Sequence, residues 1–533
     1  MPDKDLVQDE ELELEEVPQG EPQTATEKLV RAAPWWAISG FLHLVLAVIC
    51  MYIMALMPNH KPDEVIMVSP PRTPPVEEIK PRIKDVQQVE LDLDRRVEDP
   101  VIYKAPEDVV TETPNDEEFQ KAKGESLDAL SDKPFKGVST NDSIGGGGGG
   151  GGKYGGRLGG KKLCVAKGGG GKDTEDAVLN ALRWLARHQG ADGSWEATKH
   201  TNNCGRVAKF PGVCTPNPGA DTFQVGLTGL SLLAFLGAGY THLSRDVYDG
   251  ICFGDVVKKG VQYLMRIQDP SGRITPDDVP KYMYNHLLAA FALSEAYGLT
   301  SSAMIKDAAQ RAIDYTVLAQ NPGKAWRYSM RSGDNDSSVS GWGAQVLKSA
   351  EVADLNFPKE AFKGVIAWYD EVTQDSYHRT GYIDSRIGPV VIPGVTEHFK
   401  DHPALTAISV MTRIFITKTK GDPHVRGGSD VMIADLPVWD EPRYTMDMYY
   451  WYYASFAMFQ FDGPNGPYWK RWNTAIKSAL LDTQNKKSEC RMGSWEPIDR
   501  WSSEGGRVYM TAGGALTLEV YYRYPNVLID KGK

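Results

Sequence analysis

The stretch WLARHQGADGSW, residues 184–195, reads as the last turns of a helix running into a glycine-bearing turn that an aromatic side chain closes. Upstream of it, Ala177, Leu179, Leu182, Leu185 and Ala186 recur at helical spacing, so Ala177–His188 is an amphipathic helix. The same unit recurs along the chain. Val256–Ile267 runs into Gln268, Ala308–Ala319 into Gln320 and Trp326, and Ala361–Thr373 into Gln374 and Gly381-Tyr382. Trp469–Thr483 runs into Gln484 and then Gly493-Ser494-Trp495. Between these units lie apolar stretches rich in small residues: Thr222–Gly237, Tyr284–Tyr297, Ser338–Ala350, Ala404–Ile416, Met446–Phe459 and Val508–Tyr521. A weaker amphipathic stretch at Ser429–Leu436 completes the alternation as the outer helix before Met446. A repeat of about 50 residues marks an array in which neighbours bury one another's faces. Strand signals are sparse, so the expected class is all-α, with six outer–inner pairs closing into a ring.

The rest of the 533 residues differs in texture. Residues 1–34 carry ten Asp/Glu against Lys4, Lys28 and Arg31, a composition that predicts a disordered acidic tail. Residues 35–57 predict a transmembrane helix: Ala37–Met57 is 21 residues without a formal charge, preceded by Trp35 and Trp36. At 1.5 Å per residue this spans about 30 Å of hydrocarbon, with the tryptophans at an interface. Residues 58–172 predict a disordered linker, Pro-rich around PPRTPP at 70–75 and Gly-rich from Gly145 to Gly152. GGGGK at 168–172 lacks the Ser/Thr that a phosphate loop needs after its Lys. The toroid is expected over 173–525, with 526–533 as a tail. A formal charge of −11 argues against nucleic acid as a partner. Six scattered cysteines are too few for a disulfide scaffold.

Gln189, Gly193 and Trp195 resemble the QW motif of triterpene cyclases, and Gln484, Gly493 and Trp495 form another copy. With DMYYWYYASFAMFQ at 447–460 and GRVYMTAGGALTLEVYYRY at 506–524, the chain resembles bacterial membrane-anchored proteins with prenyltransferase/squalene-oxidase repeats. The resemblance implies an α6/α6 toroid of the terpenoid cyclase/protein prenyltransferase superfamily. The motif is structural: Gln can cap carbonyls at an outer helix end while Trp stacks over the turn. It specifies fold and says nothing of catalysis.

Cyclases of this kind protonate their substrate with the middle Asp of D-x-D-D. Here Asp334-Asn335-Asp336-Ser337 gives D-x-D-S, so Asp336 is either the acid, flanked by Asp334, or the N-cap of the helix that follows. Prenyltransferase subunits hold zinc with D-x-C and a His in a D-F-Y-H-like string. Asp447-Met448-Tyr449-Tyr450 puts Tyr450 in the place of that His, and D-x-C is absent, so neither metal nor cofactor is expected. A ring of hairpins gathers the N-termini of its inner helices at one mouth, bringing Asp221, His286, Asp336, His402, Asp447 and Arg507 or Tyr509 to a rim. Trp342, Tyr449, Tyr450 and Trp451 are expected on the walls below. Cys204 and Cys214 bracket an insert and are either a disulfide or free thiols; Cys164, Cys252 and Cys490 have no evident partner.

Three functions follow as expectations. The first is an extracytoplasmic binding module on a bacterial cytoplasmic membrane, its N-terminus cytoplasmic, holding a lipid, glycan or peptide in the ring. The second is an isoprenoid cyclase or transferase using Asp336. The third is a glycan-active ring using Asp336 and Asp447 as a carboxylate pair. Ser39 and His43 inside the span also resemble the anchors of TonB-like proteins, which implies a proton-channel complex as partner.

Overall fold

The structure is a computed structural model that describes residues 154–524, apart from 277, 392–395 and 441–445, together with 43–45, 48 and 51. The chain divides into two units, 1–107 and 108–533. In the first, most of the expected span 35–57 lies outside the described residues, as do the acidic tail, Ser39 and the linker up to 153. His43, Leu44, Val45, Val48 and Met51 are helical and exposed. Among the described residues no helix is long and apolar enough to cross a membrane.

In the second unit the outer helices are α3 (Lys172–His188), α5 (Phe253–Ile267), α7 (Ala303–Ala319), α9 (Glu360–Val372), α11 (Pro423–Ile433) and α13 (Pro467–Leu481). The inner helices are α4 (Gln224–Gly237), α6 (Met283–Thr300), α8 (Ser337–Val352), α10 (Ala404–Thr417), α12 (Met448–Asp462) and α14 (Ser502–Leu518). A two-residue hairpin, β1 (Val247–Tyr248) and β2 (Ile251–Cys252), precedes α5.

The outer helices are amphipathic because one face alone is covered: α5 buries Val256, Val257, Val261 and Leu264. The inner helices are covered nearly all round, and in α4 every residue from Val225 to Gly237 is buried. Inner helices touch in the order α4–α6–α8–α10–α12–α14, and α14 returns to α4. Each outer helix packs on the inner layer, and α13 comes back against α3. The fold is an α/α toroid.

Local chemistry explains the repeated turn. Gln189 Nε2 donates to Gly193 O at 2.9 Å in its own turn and to Val256 O at 2.9 Å in the next outer helix. Gln268 does the same to Gly272 O and Ala308 O, and Gln320 to Lys324 O and Ala361 O. Gln484 donates to Gly493 O at 2.9 Å and to Ala177 O at 2.8 Å, so the last unit is stitched to the first. Trp195, Trp326 and Trp495 donate their ring N–H to Leu185 O, Thr316 O and Leu480 O. Gly193 and Gly493 have φ near +90° and lie against backbone carbonyls of the neighbouring outer helix, Lys259 O and Asn180 O. Both the positive φ and the missing Cβ are needed there.

Two expectations change. Residues 154–172, expected within the linker, are folded: α1 (Gly155–Leu158) and α2 (Lys161–Gly168) pack against α15 (Val520–Arg523). There Arg157, 1 % exposed, pairs with Glu295 of α6 and donates to Arg523 O at 3.0 Å. Ser349 of α8 donates to Glu295, while Tyr524 meets Phe415 of α10 and Phe456 of α12 edge-on. Residues 154–168 and 520–524 thus pack on the C-terminal side of the inner ring, where cations oppose the helix dipoles. The outer helix expected at Ser429–Leu436 begins six residues earlier at Pro423 and ends at Ile433. Asp422 caps it by accepting from His424 N at 2.8 Å, and Pro423 occupies the first turn, where its missing N–H costs nothing.

Candidate functional site at the N-terminal mouth of the ring

A cavity of about 430 Å³ lies inside the ring, and residues from the first turns of the inner helices line it. They include Gly226 of α4, Tyr284 of α6, Ser338 of α8, Leu405 of α10, Met448 of α12 and Gly505 of α14. Deeper walls are apolar: Leu230, Leu288, Leu516, Trp342, Tyr449 and Tyr452. Trp342 stacks on Tyr452 at 5.7 Å and meets Tyr449 at 5.9 Å. Tyr452 donates to Gln345 Oε1 at 2.8 Å and Tyr449 to Ser338 O at 3.2 Å, which fixes both rings.

The mouth carries charge. Asp447 caps α12, its Oδ1 accepting from Tyr450 N at 3.0 Å. Its other oxygen, though 1 % exposed, accepts no hydrogen bond among the described residues; it lies 3.7 Å from Arg500 Nη1 and 3.9 Å from His402 Nδ1. Arg500 Nη1 likewise has no hydrogen-bond partner. Its guanidinium sits 4.1 Å over Phe399, and burial lowers its pKa against the opposing pull of Asp447. Behind them Asp499 accepts from Met448 N, Trp501 N and Ser502 Oγ. Burial, and next to it the charge of Asp447, pushes the Asp499 carboxyl up to about 7. Burial also lowers His402, with Asp447 and Asp435 pulling the other way.

A second cavity of about 330 Å³ shares Asp447 and is lined by His402, Asp435, Tyr450 and Trp451. Tyr450 donates to Met432 O at 3.1 Å and Asp435 O at 2.9 Å, tying α12 to the end of α11 in the position where a zinc-binding His was sought.

The expected site residues therefore divide between those that line a cavity and those that do not. Trp342, Tyr449, Tyr509 and Asp447 line the main cavity; His402, Tyr450 and Trp451 line the second. Asp336 lines neither. Its Oδ1 caps α8 by accepting from Val339 N at 2.8 Å, its Oδ2 has no partner, and burial pushes it up to about 7. Asp334 is exposed and paired with Arg327. His286 lies in the core rather than at the rim, accepting from Ile274 N at 3.2 Å and pairing with Thr316 at 3.0 Å; burial pushes it down to about 3. Arg507 is fully buried under the last QW turn, bonded to Glu496 at 2.6 Å and to Ser494 and Trp495. It holds that turn and does not reach the cavity lining. Asp499, Arg500 and Glu504 were missed by sequence reasoning, because nothing local marks them as neighbours of Asp447.

The sulfurs of Cys204 and Cys214 are unbonded to each other in the structure, and both turn toward the ring of His188, as does that of Cys490. This group lines neither cavity.

No protein-family profile and no curated protein matches the chain. Similar solved structures include the GH76A alpha-1,6-mannanase of Salegentibacter sp. HEL1_6, at 11% identity and TM-score 0.44, covering 65% of this chain and 98% of that one. They also include the type II terpene cyclase MstE from Scytonema, at 14% identity and TM-score 0.39, covering 65% and 97%. An alpha-amylase from Clostridium perfringens stands at 10% identity and TM-score 0.42, covering 65% and 98%. Likenesses this distant carry no argument about activity.

Proposed function

We propose that this chain is an α6/α6 toroid of six hairpins, held at the outer face of a bacterial cytoplasmic membrane by residues 35–57, that binds an amphiphile in its ring. The apolar body lies against Trp342, Tyr449 and Tyr452, and the polar group meets Asp447 and Arg500. One observation carries the reading: a buried carboxylate oxygen and a buried guanidinium nitrogen, 3.7 Å apart as an ion pair but without a hydrogen bond among the described residues, stand at the mouth of an aromatic cavity. Each buried hydrogen-bonding atom left unsatisfied costs about 1–3 kcal/mol, a cost the ion pair offsets in part and a ligand's polar group reduces further. The anchor is supported by the 21-residue uncharged run and by the exposed apolar side chains at Leu44, Val48 and Met51. Ser39 and His43 remain the residues through which a proton-channel partner would act.

The alternative reading is a cyclase-like ring with Asp336 as acid or a glycan-active ring with Asp336 and Asp447 as its carboxylate pair; Asp447 lines the cavity and Asp336 stands at the start of α8. The test is titration of the full chain in nanodiscs with dansyl-undecanoic acid, comparing wild type with Trp342→Ala and Asp447→Asn. Saturable dansyl enhancement that weakens at least tenfold in Trp342→Ala is expected. Equal binding by both variants and the wild type would dismiss the cavity as the site. Conversion of an added isoprenoid or glycan would replace binding by catalysis.

A further inference from the structure

We propose that His188, Cys204, Cys214 and Cys490 bind one Zn²⁺ in a closed tetrahedral site that clasps the first hairpin of the ring to the last. The four ligand atoms lie within 4.8 Å of one another. From His188 Nε2 the sulfurs of Cys490, Cys214 and Cys204 stand at 3.3, 3.5 and 3.7 Å. Zinc bonds of about 2.3 Å to sulfur and about 2.0 Å to nitrogen at tetrahedral angles put N and S about 3.5 Å apart. The three distances bracket that value.

The surroundings fit a ligand set rather than three thiols that happen to meet. His188 Nδ1 lies 2.8 Å from Trp184 O, so it carries the proton and donates it there. That leaves Nε2 with its lone pair toward the sulfurs, the arrangement that orients metal-binding imidazoles. The ring is further held by stacking on Trp184 at 4.2 Å. Cys214 N donates to Cys204 Sγ at 3.3 Å, a contact that favours thiolate. His188, Cys214 and Cys490 are buried, and four protein ligands leave no open position, so the site is structural. Three thiolates and an imidazole select zinc over the hard cations.

The place in the chain gives the site its consequence. His188 ends α3, Cys204 and Cys214 lie in the insert before α4, and Cys490 follows α13. A ring made from an open chain has one junction that no loop crosses, and this is it. Here Cys490 N donates to Pro211 O at 2.8 Å and Arg187 to Met492 O at 2.7 Å, so the metal reinforces a seam the backbone already approaches. The site is independent of the cavity reading.

The experiment uses the full chain purified without chelator, with metal content measured by inductively coupled plasma mass spectrometry. About one zinc per chain is expected, released when a mercurial blocks the thiols, and retained in Cys252→Ser. Cys490→Ser should lose it. Because that variant may misfold, wild type is also loaded with Co²⁺, where sulfur-to-cobalt charge-transfer bands and intense visible bands report a tetrahedral thiolate site. Chelation should raise hydrogen exchange in α3 and α13 and leave α8 and α9 unchanged. A Cys204–Cys214 disulfide in the purified chain, absence of zinc and cobalt binding by the reduced chain, or zinc kept by Cys490→Ser would each overturn the proposal.

Discussion

Replacing Gly493 by alanine tests whether the ring is sealed by close backbone approach. Gly493 sits at φ +92°, and a Cβ there would lie well inside 3.0 Å of Asn180 O in α3. Gly323 provides the control: it occupies the corresponding turn after α7 at φ +67°, with nothing within 4 Å of a Cβ. Both substitutions force an L side chain into the left-handed region, at about 1–2 kcal/mol. Both recover about 0.4–1 kcal/mol from a less flexible unfolded chain. Gly323→Ala is therefore expected to cost about 1 kcal/mol. Gly493→Ala must also open the seam by about 1 Å to restore a carbon–oxygen contact near 3.3 Å. Overpacking of this kind adds about 1–3 kcal/mol. It also stretches the Gln484 bond to Ala177 O, presently 2.8 Å. The total is about 2–4 kcal/mol. Urea unfolding followed by tryptophan fluorescence, with the shift in midpoint multiplied by the measured slope, gives both values. Losses equal to within about 0.5 kcal/mol would refute the seam argument, because strain alone would then account for both.

Other outcomes follow from buried charge and from the segment 154–172. Asp499 and Asp336 both titrate near pH 7 in the fold and near 3.8 when unfolded, so folding takes up protons between those values. The stability is fully present below about pH 4 and is lost as pH rises through 7, by up to about 4 kcal/mol for each group; Asp499→Asn should flatten that fall in a urea series across pH. Arg157→Met leaves Glu295 with Arg523 at 3.9 Å as its remaining ion pair and should cost about 3–5 kcal/mol, part of which Glu295→Leu restores in the double variant. Removing residues 1–153 should leave a folded ring with native thermal midpoint. Removal through 172 takes away Gly168 O, which accepts from Trp469 at 2.7 Å, and Arg157, and should lower the midpoint by several degrees or abolish solubility.

The repeat was legible because its signals are local. A Gln, a Gly and a Trp within a few residues carry the turn, and the bonds Gln189 and Trp195 make to Gly193 and Leu185 stay within it. Capping by Asp336 was legible for the same reason. The second half of the Gln function, reaching the next outer helix, required knowing the neighbour. The packing of residues 154–168 was not legible. Its glycines read as coil, yet Gly156 and Gly168 let the backbone approach Tyr522 and Tyr521, a use of glycine visible only once both segments are in place. The Cys/His cluster was hidden by separation: His188 and Cys490 stand 302 positions apart, and neither has a neighbouring ligand of its own. His286 and Arg507 misled because position at a helix start does not say which way a side chain faces. One turned into the core and the other under a turn.

The unequal stitching of the ring bears on how a ligand enters it. Around most of the circle a glutamine joins each turn to the next outer helix, and at the seam Gln484 and the four-residue cluster do so without a loop. Two steps depart from this: among the described residues no glutamine after α11 reaches α13, and from α9 to α11 Gln374 Nε2 bonds Ser385 O, in its own turn, while His378 meets His424 of α11 at 3.2 Å. The next outer helix, α11, is the shortest of the outer layer, and its end is held to α12 through Tyr450. Fewer cross-links mean a lower free energy of local opening, since such opening is governed by the contacts a segment must give up. The second cavity, with His402 and Asp435, lies on this same side and shares Asp447 with the main one. The side of the ring without glutamine stitches is thus the side on which the buried carboxylate meets a second opening. A rigid seam and a looser entry sector are compatible because they belong to different hairpins, so strain at the mouth need not be transmitted to the closure that keeps the ring whole.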